Sequence, residues 1–482
     1  MTNRTRKLTL IAVIVAVTGI GALAWAKFFR ELPQQLADGT TVEYFKYGSV
    51  GTEADAGIPY WIWVVLPKMF PEYLPRPGGW AALGFGWEQG REMPVGFSKK
   101  TIGFERVGVN CALCHSATLR TAAGDVPRVY PGAPSNAADI LGYQRFLFQS
   151  ASDPRFNSSN ILREIGQIYR MSWLDRVLYR FVLVPATRKA LLTQKEAFAW
   201  TDVRPDWGRG RIDPFNPVKV NLLGVDVGDT IGNSDMMPIW NMRPRVEHEM
   251  AFHWDGLNTN LTEVFLSSAL GDGATPGSLP IGKLGELQAW AMDLAPPRFA
   301  ELFDVDAGLA ASGEAVFRRN CASCHAFGEP ATGKVRTVSG GDWGGAPTDA
   351  HRADMWTDEA ASAYNAYAEG YEWDFDEFRS TGGYLNVPLD GLWMRAPYLH
   401  NGSVPYLSDL LEPPRARPRV FYRGYDVYDP QRVGFVAEGP EAARVGTRYD
   451  VSETGNSNRG HLWGTELGRQ EKRALLEYLK TL

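Results

Sequence analysis

The sequence predicts a mainly α protein of two tandem domains with long loops, preceded by one N-terminal apolar helix. Three observations point there. The pentapeptides Cys111-Ala112-Leu113-Cys114-His115 and Cys321-Ala322-Ser323-Cys324-His325 use every cysteine in the chain. A helical closing segment follows each of them, and a stretch between motif and closing segment is also duplicated. Finally, the run Leu8 to Ala26 carries no charge.

A Cys-x-x-Cys-His motif attaches a c-type haem: the thiols form thioethers with its vinyl groups, and the histidine supplies one axial nitrogen. Two covalently bound haem c groups are therefore expected, with Cys111, Cys114, Cys321 and Cys324 as attachment points and His115 and His325 as iron ligands. The competing reading is structural zinc. Tetrahedral zinc, however, gives no reason for a histidine directly after the second cysteine of both pairs.

At 482 residues the chain can bury two or three cores. A net charge of -5 gives no electrostatic reason to expect nucleic acid. The 50 glycines and 31 prolines predict much loop, and bound haems can replace part of the apolar core.

Arg4, Arg6 and Lys7 precede the uncharged run, which is long enough to span a bilayer with its basic flank in the cytoplasm. Its length favours an uncleaved anchor. Ala24-Trp25-Ala26 also fits a signal-peptidase site, so a cleaved signal is the alternative. Both place the remaining chain on the periplasmic side of a bacterial inner membrane or beyond it.

Residues 1–26 are thus read as anchor or signal, and 27–100 as an extension rich in aromatics and prolines, best explained by core packing. A first cytochrome c-type domain is expected over 101–300, with an insertion at about 150–233 containing helical stretches such as Trp173 to Val184. A second is expected over 301–482. Ala311 to Cys321 reads as an amphipathic helix leading into the second motif, and a helix capped by Thr465 should run through Lys480. The earlier closing helix, Leu284 to Leu294, is stopped by Pro296-Pro297. His253-Trp254-Asp255-Gly256 is followed five residues after its glycine by Leu261-Thr262-Glu263-Val264. Leu399-His400-Asn401-Gly402 is followed at the same offset by Leu407-Ser408-Asp409-Leu410.

A haem with two protein ligands transfers electrons, whereas an open position can take dioxygen or peroxide. The chain has seven histidines, two of them in the motifs. His461, just ahead of the last helix, is the expected second ligand of the second iron; His400 and Met394 are alternatives. The corresponding stretch in the first half, Gly271 to Pro280, holds neither His nor Met. Unless a loop brings in His248 or His253, the first iron is expected to be five-coordinate.

Met237-Pro238-Ile239-Trp240-Asn241, His253-Trp254-Asp255-Gly256 and Ala396-Pro397-Tyr398-Leu399-His400-Asn401-Gly402-Ser403 together resemble the bacterial di-haem cytochrome c peroxidase superfamily. The resemblance covers about residues 101 to 145 and 233 to 482. It implies that Trp254 lies between the haems and passes electrons or holes, and that His400 stands beside the second haem without ligating it. The family's acid/base glutamate is replaced: only Asp272 lies near that position, and Leu257 stands where an arginine is usual. Peroxide heterolysis needs a placed proton acceptor and donor, so this departure disfavours plain peroxidase activity. A second haem held by His325 and His461 looks like the rubber-oxygenase branch, in which the first haem holds dioxygen. Nothing in the chain extends the resemblance to rubber as substrate.

The resemblance also brings calcium into view, though no matching ligand set is legible. A periplasmic redox protein and a small oxidant are the implied partners. A membrane-tethered electron carrier without substrate chemistry is the competing function.

Overall fold

The computed structural model describes residues 3–339 and 347–482. The chain is mainly helical, 44% helix against 11% strand, with an apolar helix at its N-terminus, as the sequence predicts. The largest sheet has three short strands and organises little beyond its own corner.

Helix α1 (Asn3–Phe28) stands away from the body. Its apolar part, Lys7–Phe28, has 22 residues, none of them buried, and it meets the body only at its last turn. At 1.5 Å per residue that is about 33 Å, enough for a hydrocarbon layer of about 30 Å. Helix α2 (Thr41–Tyr47) starts at Thr40, whose hydroxyl accepts the Glu43 N–H at 3.2 Å.

From Gly48 the chain leaves on a long excursion that returns at Asn110, where the Asn110 side chain donates to the Gly48 carbonyl at 2.8 Å. Trp63 stacks on Trp80 inside it, with ring centres 4.6 Å apart, and donates to the Tyr143 hydroxyl at 3.1 Å. The excursion ends in the hairpin β1 (Phe97–Ile102) and β2 (Phe104–Val109). The hairpin turns at Gly103, where φ is +73° and a Cβ would lie 2.3 Å from the Lys27 carbonyl oxygen. Only glycine fits both demands.

Helix α3 (Ile140–Ser152) leads into the insertion, which supplies α4 (Ser158–Ile168), α5 (Trp173–Leu178) and α6 (Val184–Ala197), the last two joined by a π-helical turn over Tyr179–Leu183. Helix α7 (Leu261–Gly271) and the first closing helix α8 (Ile281–Asp293) follow. Leu284, Leu287 and Ala291 form the buried face of α8. Trp290, partly buried, meets Phe45 of α2 at 4.8 Å between ring centres.

Helix α9 (Ala307–Asn320) runs directly into Cys321. Strands β3 (Val335–Thr337) and β4 (Gly383–Leu385) pair antiparallel. The chain ends in α10 (Arg469–Leu479). Helices α9 and α10 cross at Gly313, where a Cβ would lie 1.9 Å from the Ala474 carbonyl oxygen. The expected Thr465 cap is corrected: Thr465 donates to the Leu462 carbonyl at 2.7 Å within the preceding turn. Gly468 caps α10 instead, its N–H donating to the Glu471 carboxylate at 3.3 Å.

The duplicated stretches share a backbone path. Phe252 bridges to Asn258 and Tyr398 to Val404, six residues on in each case. His253 and Leu399 both have positive φ, as do Gly256 and Gly402. A second pair, Met237-Pro238 to Asn241 and Val387-Pro388 to Gly391, ends each time in a left-handed residue that starts a helical turn. The two buried cores exchange segments. Met355, Trp356, Tyr364, Phe375 and Phe378 join the first, while Leu119, Ala133 and Trp240 join the second.

Candidate functional site

At the first motif, the Asn110 side chain accepts the Ala112 N–H at 3.0 Å and starts a tight turn through Cys111–Leu113. The turn closes when the His115 N–H donates to the Cys111 carbonyl at 3.0 Å. The second motif makes the same closure at 3.1 Å, between His325 and Cys321. In both, the histidine Nδ1 meets a backbone carbonyl: Met237 at 2.7 Å for His115, Val387 at 2.6 Å for His325. A carbonyl can only accept, so Nδ1 carries the proton and Nε2 keeps a free lone pair, the state a metal-ligating imidazole needs. Burial keeps both rings neutral, pulling His115 down to about 4 and His325 below its usual value.

None of the four cysteines is in a disulfide. Burial pushes the Cys111 and Cys114 thiols well up and Cys321 up to about 11. Among the described residues no group of three or more His, Cys, Asp or Glu could hold a metal ion. Neither a zinc nor a calcium cage of that kind is therefore seen.

A partly open cavity of about 230 Å³ lies beside His115, with Cys111, Cys114 and His115 in its wall. Its lining is mostly apolar. Asp272, at the end of α7, is half-buried with its carboxyl toward this cavity, and desolvation raises it to about 7. His253 also lines the cavity, carried in by its loop but outside ring contact with His115 among the described residues, while His248 stays exposed. The His253 ring packs edge-on against Phe215 at 5.3 Å. Its buried Nε2 has no hydrogen-bond partner among the described residues. Sequence spacing could not reveal this, because the residue enters through a left-handed turn far from the closing helix.

At the second motif His461 stands opposite His325, ring centres 6.2 Å apart and planes tilted by 40°. Two imidazoles on opposite sides of one metal, each nitrogen about 2 Å from it, have ring centres about 6 Å apart. The pair fits bis-histidine haem ligation. His461 sits in a left-handed conformation, φ +50°, within a loop held by the buried Arg417. The Arg417 guanidinium donates to the carbonyls of Asn458, Gly460 and His461 at 2.5, 3.1 and 3.0 Å. No sequence signal marked this arginine. The two alternatives point elsewhere: Met394 is sealed in the second core, and His400 stacks on Tyr384 at 3.9 Å.

Trp254 joins the two motifs. Its indole N–H donates to the Asp235 carbonyl at 2.7 Å, on the segment whose Met237 orients His115. Its own carbonyl accepts the Leu385 N–H at 2.9 Å, on the segment whose Val387 orients His325.

Comparison with known families finds a match to a model described as RoxA-like, cytochrome c-like, over residues 383–422. The matched stretch contains β4, Val387, His400 and Arg417. Two similar proteins come from Sinorhizobium fredii. The uncharacterized protein y4iM is 28% identical over 295 residues, 52% of this chain and 64% of that protein. The uncharacterized protein y4iJ is 41% identical over 108 residues, 20% of this chain and 18% of that protein. The chain thus spans less than two thirds of either relative's length. The matched segment is cytochrome c-like, which suggests a cytochrome-like oxidoreductase and implies covalently bound haem c.

Proposed function

We propose that the chain is an exported di-haem c-type oxidoreductase with one reactive and one relaying site. Cys111, Cys114 and His115 would hold a haem open to dioxygen or peroxide. Cys321, Cys324, His325 and His461 would hold one that only passes electrons. The observation that carries this reading is the contrast in what faces each motif histidine: an imidazole ring centred 6.2 Å from His325, whereas among the described residues no second imidazole is in ring contact with His115. The repeated backbone turns support two tandem domains.

When bound, haem supplies electron transfer and activation of the small oxidant. The chain supplies the rest. Asp272 holds a proton at the cavity wall near neutral pH. Trp254, hydrogen-bonded to both histidine-orienting segments, couples the sites. A mostly apolar lining keeps the first site at low polarity. Helix α1 anchors the protein, its body and its redox partner lying in the periplasm.

A second reading, electron transfer alone, draws support from His253, whose unpartnered Nε2 lines the first cavity. Ligation by His253 would make both irons six-coordinate. The His461→Ala holoprotein tests the assignment of the two sites: one haem in two should change from low spin to high spin while the other keeps its spectrum. An unchanged spectrum would refute His461 as a ligand.

A further inference from the structure

The insertion carries an apolar face that no element among the described residues covers. The helical run α5, its π turn and α6 already buries Tyr179, Leu183 and Val184 against the body. The opposite side of such a surface helix is ordinarily polar. Here it presents Trp173 (73% exposed), Val177, Phe181 (68% exposed) and Val182, with Ile168 nearby at the end of α4. Trp173, Val177 and Phe181 follow at steps of four and lie along one stripe.

This stripe sits at the foot of the candidate membrane span. Lys27, on the last turn of α1, is ion-paired with Asp175 of α5 at 2.6 Å. The foot is held from the other side too: the Gly103 N–H of the hairpin donates to the Arg30 carbonyl at 2.8 Å. Phe29, just past the span, is 70% exposed and continues the apolar surface. Exposed Arg170, Arg176 and Arg180 border the stripe, while the neighbouring carboxylates Asp175 and Glu164 are already paired with Lys27 and Lys68. Apolar and aromatic side chains flanked by free guanidinium groups suit the boundary between acyl chains and phosphate headgroups.

We propose that the insertion is a second membrane contact: the Trp173–Val182 stripe lies in the outer surface of the same bilayer that α1 crosses and holds the first cavity at a fixed height above it. This rests on the reading of α1 as an uncleaved anchor. Full-length holoprotein in phospholipid vesicles, photolabelled with a lipid-soluble carbene reagent and mapped by mass spectrometry, tests it. Residues 168–182 should be labelled together with the span 7–28. In the Trp173→Asp/Phe181→Asp variant, label on 168–182 should fall to that of Val126, 76% exposed in the loop between Leu119 and Arg128, with the span still labelled and haem absorbance unchanged. Labelling of wild-type 168–182 no greater than at Val126, while the span is labelled, would overturn the proposal. So would protection of 168–182 from both lipid-phase and water-phase reagents, which would indicate a second copy of the chain. If the mature chain proves to lack residues 7–28, it is the anchor reading that fails, and the same labelling of vesicle-added protein still decides the stripe.

Discussion

The two motif histidines are oriented alike and faced differently. Each donates Nδ1–H to the carbonyl just before a proline, Met237 or Val387. Yet His325 looks at a second imidazole, whereas His115 looks into a cavity holding Asp272 and His253. The supporting helices differ as well. At the second site α9 leads straight into its motif and crosses α10 at Gly313. At the first, a long aromatic excursion separates α2 from its motif, although α2 still packs on closing helix α8 through Phe45 and Trp290. The second motif thus sits in a compact two-helix frame, and the first is set among added loops and aromatic packing.

That contrast can be broken first at the proton-holding group. Asp272→Asn should lower oxidant turnover by about 10²- to 10⁴-fold, the usual range for loss of a general acid or base. Burial raises the Asp272 carboxyl to about 7, so it holds its proton below that pH and loses it above. Wild-type turnover that depends on proton donation should fall as pH rises through about 7, and the variant's profile should be flat there. Rapid-reaction rates across pH check both.

The helix contacts come next. Phe45→Ala removes a buried ring between α2 and α8 and should cost about 3 to 5 kcal/mol, loosening the first site. Gly313→Ala forces a methyl onto the Ala474 carbonyl and should cost about 1 to 3 kcal/mol, loosening the second. Denaturation followed separately at each haem's absorbance distinguishes them. The smallest effect is expected from Trp254→Phe, which keeps the ring but loses the hydrogen bond to Asp235: about 1 kcal/mol in stability, with slower electron exchange between the sites measured by flash reduction.

Much of this was legible in the chain. The closing helices announce themselves by periodicity and prolines, and the place of His461 ahead of the last helix singled out the imidazole that faces His325. What stayed hidden depends on long-range placement. Thr465 was a plausible cap until its hydroxyl was taken by a local turn. His253 belongs to the first cavity because a left-handed turn swings it there, and no spacing rule encodes that. Arg417 acts through backbone carbonyls far from it in sequence, which leave no residue pattern. The exchange of Trp356 and Tyr364 into the first core likewise obscures any boundary drawn along the chain.

The account's central claim is that the first site is open and the second closed. Carbon monoxide titration of the reduced holoprotein tests it most directly, since only an iron with a free position binds the gas. One equivalent per chain carrying two haems is the predicted result. No binding would mean that His253 or another group closes the first iron, and two equivalents would mean that His461 does not close the second; either contradicts the account.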